Sequence, residues 1–281
     1  MKFKSIIILF NVLIFLFLGA LFIFPLVILG RDMVPYFWRS GWFLVPLMLA
    51  ALAGVDLFFA LNYRIYTLLE KEDWPALIQE LENQVIRKGN YSPRLVKLLI
   101  NTYLVLSDAR SVTELEKKLS VTKKKLVNAN ALNFGAARVL HSDYQGAEEF
   151  FSSKLSGRGL PGGYKTAEWM RWYHGFSLLL ARRFDEAADA FILLARDGRE
   201  GILAGLSAYF LNNSLAGFLP RRSEELRKEA EMGKERVKSG LKKRNDWDRE
   251  LKQAASEIYA AILKPYYGKT ADYLYLEEKE A

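Results

Sequence analysis

Gly157, Gly159 and Gly162 form a Gly-x-Gly-x-x-Gly string, with Lys165 and Thr166 close behind, and these are the residue types with which a loop cradles phosphate. That chemistry needs a strand before the glycines, so that the following helix presents its N-terminus to the pyrophosphate. A helical pattern precedes this string, and Tyr164 separates the last glycine from the lysine, so the stretch reads as a hinge between two helix pairs. No Gly-x-Ser-x-Gly turn, His-Glu-x-x-His pair or calcium loop occurs. Cysteine is absent, which excludes disulfides and thiolate metal sites. His141 and His174 are too few for a histidine cluster and read as helix packing. No catalytic residue, metal or cofactor is expected, and the chain reads as a non-enzyme.

Lys117, Lys118, Lys123, Lys124 and Lys125 form a basic patch that could meet phosphate on a lipid or a nucleic acid. No aromatic residues interleave them for base stacking, so a solvated helix face is the simpler reading and no nucleic-acid partner is expected. The chain holds 40 Lys and Arg against 32 Asp and Glu; without the four basic and two acidic residues of the first 62 positions, 36 and 30 remain. An excess of that size suits either attraction to anionic headgroups or plain solubility.

Asp56 stands alone as a charge in an apolar run, and its setting points to a membrane. Residues 5–29 carry no charge over 25 positions, more than the roughly 20 a bilayer-spanning helix needs and longer than a signal-peptide core. A second apolar run covers 41–62, after a short connector, RDMVPYFWRS, whose Tyr36 and Trp38, with Trp42 just beyond, suit a headgroup belt. Two spans put both ends on one side. Lys2, Lys4, Arg64 and Lys71 near those ends outnumber Arg31 and Arg39 in the connector, which predicts an integral membrane protein with both termini and the soluble part in the cytoplasm. Antiparallel spans place Asn11 and Asp56 at similar depth, as they do Pro25 and Pro46. The expectation is that Asn11 faces Asp56, or that Asp56 meets a second copy through the hairpin, with snorkelling to the headgroups as the other outcome. Nothing breaks the helix from Val55 to Asp73, so the second span is predicted to run on into the first soluble helix. The Asn90 and Asn212 sequons read as chance matches on that side of the membrane.

Beyond residue 62 the composition is that of helix, with starts marked by Asp73-Trp74-Pro75, Ser92-Pro93 and Ser111 followed by Glu114. The segments starting at 73, 111, 143 and 183 share an apolar pattern whose Ala or Leu falls at 77, 115, 147 and 187, spaced by 38, 32 and 40. In two units a glycine in one helix, Gly135 or Gly175, precedes an aromatic, alanine and aromatic set in the next: Tyr144, Ala147, Phe151 and then Phe184, Ala187, Phe191. Gly205 offers a third such glycine.

On these residues the chain resembles the tetratricopeptide repeat family, pairs of antiparallel helices about 34 residues long that pack through small side chains. The resemblance spans about 65 to 210 and is fullest from 126 to 195; the two early units lack the glycine, and the proline that ends the family's unit is missing. An irregular bundle in which Ala and Gly mark close contacts would share these features. The resemblance implies a concave face lined by first helices, with Trp169, Trp172, Phe176, Arg199 and Tyr209 as candidates to anchor a protein partner. Aromatic residues at helical spacing also build cores, and both readings stand at this point. Residues 221–252 are densely charged, with Leu226, Ala230, Val237 and Leu241 as a narrow stripe, which suits a terminal cap or a coiled-coil partner. A last helix over 246–263 should stop before Pro265, leaving an acidic tail.

The expected fold is therefore all-α: a two-span hairpin over 1–62, a tetratricopeptide-like solenoid over 63–215, and capping helices over 216–281. The expected role is a membrane-anchored scaffold that recruits protein partners through the groove. The other is a structural subunit assembled through the hairpin.

Overall fold

The computed structural model describes residues 3–28, 30, 34–156 and 163–276. Among these, every regular element is helical. The Gly-rich string at 157–162 and the acidic tail after Leu276 lie outside the described residues. The chain divides into two compact units, Met1–Asn90 and Tyr91–Ala281, and the first reaches well past residue 62 because the second apolar run is only part of a longer helix.

The first unit holds α1 (Phe3–Ile28), α2 (Val34–Gly41), α3 (Leu44–Glu70) and α4 (Trp74–Glu82), the last running into a π turn over Asn83–Arg87. Helix α1 packs against α3. The expected connector carries α2, because Pro35 sits in its first turn, where a missing N–H is harmless, and Trp38 stacks on Phe22 with centroids 4.8 Å apart. Helix α3 is continuous for 27 residues, about 40 Å. Among the described residues it is the one helix long and apolar enough to cross a membrane, while Ile8–Ile23 in α1 is a shorter apolar stretch.

The second unit runs α5 (Pro93–Val105), α6 (Ala109–Thr122), α7 (Lys124–Ala129), α8 (Ala131–Leu140), α9 (Tyr144–Ser156), α10 (Gly163–Leu180), α11 (Phe184–Asp197) and α12 (Gly201–Phe210). A π turn over Leu211–Leu215 joins α12 to the short α13 (Ala216–Phe218). Then come α14 (Ser223–Gly240), α15 (Arg244–Ala254), α16 (Ile258–Ala261) and α17 (Lys264–Tyr275). Chain neighbours pack as α8 on α9, α9 on α10, α10 on α11, α11 on α12 and α12 on α14. Helices α5, α8, α10 and α12 also touch in succession and form a row.

One turn recurs between paired helices. Glu72, Ser107, Ser142 and Arg182 each take positive φ, between 53° and 62°, and each lets the next residue's N–H reach back to a carbonyl of the preceding helix: Asp73 to Leu68, Asp108 to Tyr103, Asp143 to Arg138 and Arg183 to Leu178. In the first three the aspartate then caps the following helix, accepting from Ala76, Ser111 and Gly146 N–H at 3.2, 3.1 and 3.0 Å. The cap of α6 is thus Asp108, not Ser111, which lies inside the helix, while Glu114 pairs with Arg110 at 3.3 Å instead of closing a capping box. Ser92 caps α5 through Leu95 N–H.

Counted from these turns, the register differs from the sequence reading at one point. Five residues after each turn stand Leu77, Val112, Ala147 and Ala187, all fully buried, so Val112 replaces Leu115 and the spacing becomes 35, 35 and 40.

The C-terminal region also departs from expectation. Helix α14 is the second member of a pair with α12 and packs on α11 as well, using Leu226, Ala230 and Val237 together with Gly233. The predicted last helix is split into α15 and α16, and Pro265 begins α17 rather than ending a helix, since proline is tolerated in a first turn. Helix α16 touches α5 and α8, and α17 packs on α12, so this segment lies across the row of first helices.

Candidate functional site

Helix α10 supplies Trp169, Trp172 and Phe176, which its turn spacing places together and whose exposures are 1%, 0% and 4%. Trp172 stacks on Phe176 at 5.0 Å and approaches Phe191 of α11 at 5.8 Å and Phe210 of α12 at 6.1 Å. The chain's own C-terminal segment covers the other side: Tyr259 meets Trp169 edge-on at 5.1 Å, and Tyr266 meets Phe176 at 5.8 Å and Phe210 at 5.0 Å. Tyr173, next to this cluster, donates its hydroxyl hydrogen bond to the Tyr259 carbonyl, and its burial pushes the hydroxyl well above the usual tyrosine range. The core reading therefore holds for Trp169, Trp172 and Phe176, and no open groove exposes them. The missed signal was the pair Tyr266 and Tyr273, seven residues apart and so two turns apart on one face of α17, where they meet Phe210 and Tyr209 of α12.

Arg199, by contrast, stays exposed. Its guanidinium lies 4.4 Å from the Tyr164 ring centroid, and its backbone N–H donates to Glu168 Oε1 at 2.6 Å. Glu168 is 1% exposed and also accepts from Glu200 N–H at 2.8 Å and from the Tyr164 hydroxyl at 2.7 Å. This buried carboxylate sits at the start of α12, satisfying N–H groups there and meeting the positive end of the helix. The Glu168 hydrogen bond, followed by burial, raises the Tyr164 hydroxyl above its usual range.

The repeat-packing residues meet as pairs. A Cβ on Gly135 would stand 2.1 Å from Phe151 Cζ, and one on Gly175 would stand 3.1 Å from Ala190 Cβ and 3.2 Å from Phe191 Cε1. Ala147 and Ala187 are fully buried beside them. In the same place relative to the turn, the two early pairs carry Ile65 and Ile100 in place of glycine, opposite Leu81 and Glu116 in place of phenylalanine.

Among the described residues of this unit, one concavity is polar. A cavity of about 510 Å³ is lined by Tyr209, Asn212, Asn213, Glu231, Lys234, Lys269, Asp272, Tyr273 and Leu276. The π turn places Asn212 and Asn213 there, and such turns often mark functional positions. Lys234 lies 5.1 Å from the Tyr273 ring centroid and 3.3 Å from Glu231. Burial, reinforced by Glu231, lifts the Tyr273 hydroxyl, which is buried without a hydrogen-bond partner among the described residues. Tyr209 is the one groove candidate that reaches this cavity, its ring 6.2 Å from Tyr273. The basic patch stays exposed, with Lys123 over the Tyr91 ring at 5.8 Å, and Lys165 of the supposed phosphate loop pairs with Glu200 at 3.1 Å. His174 packs against Glu148 at 3.3 Å.

In the first unit, Asn11 Nδ2 donates to Asp56 Oδ1 at 3.1 Å, joining α1 to α3.

The family described as "Uncharacterised Treponema protein" matches residues 111–276, more than half of the chain. The chain belongs to this family. An "Uncharacterized protein" of Treponema pallidum (strain Nichols) is 28% identical over 225 residues, which is 79% of this chain and 69% of that relative. No solved structure matches. The family's stretch includes both full helix pairs, the Glu168 cap, the polar cavity and the C-terminal helices that cover the aromatic row.

Proposed function

We propose that this chain is a non-catalytic, membrane-anchored scaffold, with a hairpin of α1 and α3 in the bilayer and a tetratricopeptide-like helical array on the cytoplasmic face. The recurrence of one turn at Glu72, Ser107, Ser142 and Arg182 carries the reading. Repeated pairs that stack on their neighbours are an architecture for presenting protein-binding surfaces. The first of these turns closes α3 itself, so one helix serves both as the span and as a member of a pair. The packing of α1 on α3 and the basic residues Arg64 and Lys71 past the span support the hairpin and its orientation. The buried Glu168 and Glu116 and the half-buried Glu148 support a non-enzymatic role because each is committed to structure: Glu168 to the α12 cap, Glu116 to Arg138 at 2.7 Å and Glu148 to Arg183 at 3.1 Å.

With the aromatic row covered, the docking surface moves to the polar cavity around Asn212, Asn213 and Tyr273, which suits a polar segment of a partner protein. The test compares proteins crosslinked to the full-length chain with those crosslinked to a form beginning at Arg64. The scaffold reading expects partners common to both, lost on Asn212→Ala with Asn213→Ala. Partners held by the full-length chain alone would move the interface to the hairpin, making the protein a structural subunit of a membrane complex. The Asn11–Asp56 pair inside the apolar region favours that second reading.

A further inference from the structure

We propose that the hairpin carries a docking groove for a foreign transmembrane helix bearing one lysine or arginine, with Asp56 as the anchoring charge. The inference rests on the bilayer reading of α1 and α3 given above. A groove of about 560 Å³ beside Asp56 is lined by Asn11, Asp56, Phe59, Ala60 and Tyr63. Asp56 lies eight residues before Arg64, about 12 Å deeper along α3. A short carboxylate side chain cannot bridge that distance to the headgroups.

Asn11 offers Asp56 a neutral donor, and among the described residues no cation pairs with it. A charge held inside a bilayer faces a partner or a water-filled cavity, and a partner that also neutralises it must be basic. A second copy of this chain would bring another carboxylate to the same depth, adding like charge where opposite charge is needed. The surface around the groove permits close approach of a helix: Ala53, Leu57 and Ala60 follow one another at helical spacing and are all exposed, as is Gly54.

The chain has no cysteine, so Lys71→Cys gives a single labelling point on the full-length protein in liposomes. The probes are synthetic leucine-rich helices of about 20 residues carrying one Lys, one Gln or no polar residue at matching depth. Energy transfer should appear with the Lys helix at a peptide-to-lipid ratio about tenfold lower than with the all-leucine helix. Asp56→Asn should erase that difference, and Asp56→Lys should move the preference to a helix carrying Glu. The proposal is overturned if Lys and Leu helices associate equally, or if the Gln helix matches Lys, which would reduce the contact to hydrogen bonding. Asp56-dependent transfer between two differently labelled copies of the chain would also overturn it, making the occupant a second copy. Flotation separates the two levels: a chain that does not float with the liposomes overturns the bilayer reading as well, and one that floats but ignores the Lys helix overturns only the docking.

Discussion

Glu168 ties the start of α12 to α10, and its value comes from being a charged acceptor with three donors in a dry site. Hydrogen bonds to a charged group are each worth about 1.5–3 kcal/mol, and an amide of the same shape forfeits the charge and turns one acceptor into a donor facing N–H groups. Glu168→Gln should therefore cost about 2–3 kcal/mol, read as an earlier midpoint in chemical denaturation of the detergent-solubilised chain. A loss below about 0.5 kcal/mol, the level of an ordinary surface change, would show that the cap is not what holds this junction. Gly135 makes the complementary case, of space rather than charge. A methyl there would collide with the Phe151 ring, so Gly135→Ala should cost about 1–3 kcal/mol, and Phe151→Leu in the same chain should recover part of it. Additive losses in the double variant would mean that the two residues do not share the space. The Gly135–Phe151 and Gly175–Phe191 pairs were legible from the sequence because small and large residues alternate at a fixed distance from a turn. Glu168 was not, because its backbone partners lie 31 and 32 residues further on and nothing local marks them.

At the scale of elements, the helices themselves were legible wherever an apolar face repeats at 3.6 residues, and α3 was legible as one continuous helix because no breaker interrupts it. The errors came where two capping side chains compete. Asp108 and Ser111 both fit a helix start, and only the positive φ of Ser107 decides for Asp108, a backbone property that side-chain types alone do not show for a serine. The same shift moved the repeat register from Leu115 to Val112. The C-terminal helices were misread because Pro265 looks like a stop when it is a start, and the aromatic row of α10 then seemed free to bind a partner. In the folded chain Tyr266 fills that place, against Phe176 and Phe210. Tyr266 is half-buried, so Tyr266→Ala should cost less than the roughly 3 kcal/mol of a fully buried aromatic truncation, and it should shift the tryptophan emission toward that of wetter indoles as the packing over Phe176, on which Trp172 stacks, loosens. Unchanged emission together with unchanged stability would show that α16 and α17 are dispensable to the row and would restore α10 as an open surface.

For the second unit as a whole, the tyrosines couple its integrity to pH. Tyr173 donates to the Tyr259 carbonyl, Tyr267 to Ala260 and Tyr275 to Leu241, so three hydroxyl protons join the C-terminal helices to α10, to one another and to the end of α14. Burial raises the hydroxyls of Tyr173, Tyr267 and Tyr275, and it pushes Tyr259 up to about 12 with help from Glu257 and Glu200. An unfolded chain would release these protons near pH 10. The fold therefore holds protons that the unfolded chain has already lost, and each such group contributes stability that is complete below about pH 10 and is lost as the pH climbs toward about 12 and beyond. The helical unit should thus show a steep alkaline transition in which tyrosinate absorbance and loss of helical circular dichroism rise together. Tyr173→Phe removes one of these titrations along with its hydrogen bond, so it should lower stability at neutral pH yet flatten the alkaline limb. If the tyrosines instead ionise near pH 10 while the helical signal persists, the C-terminal helices are not packed as described and the aromatic row of α10 is open to solvent. The same titration run on the Tyr266→Ala chain locates the linkage: once α16 and α17 are loosened, tyrosinate should form closer to pH 10 and ahead of helix loss.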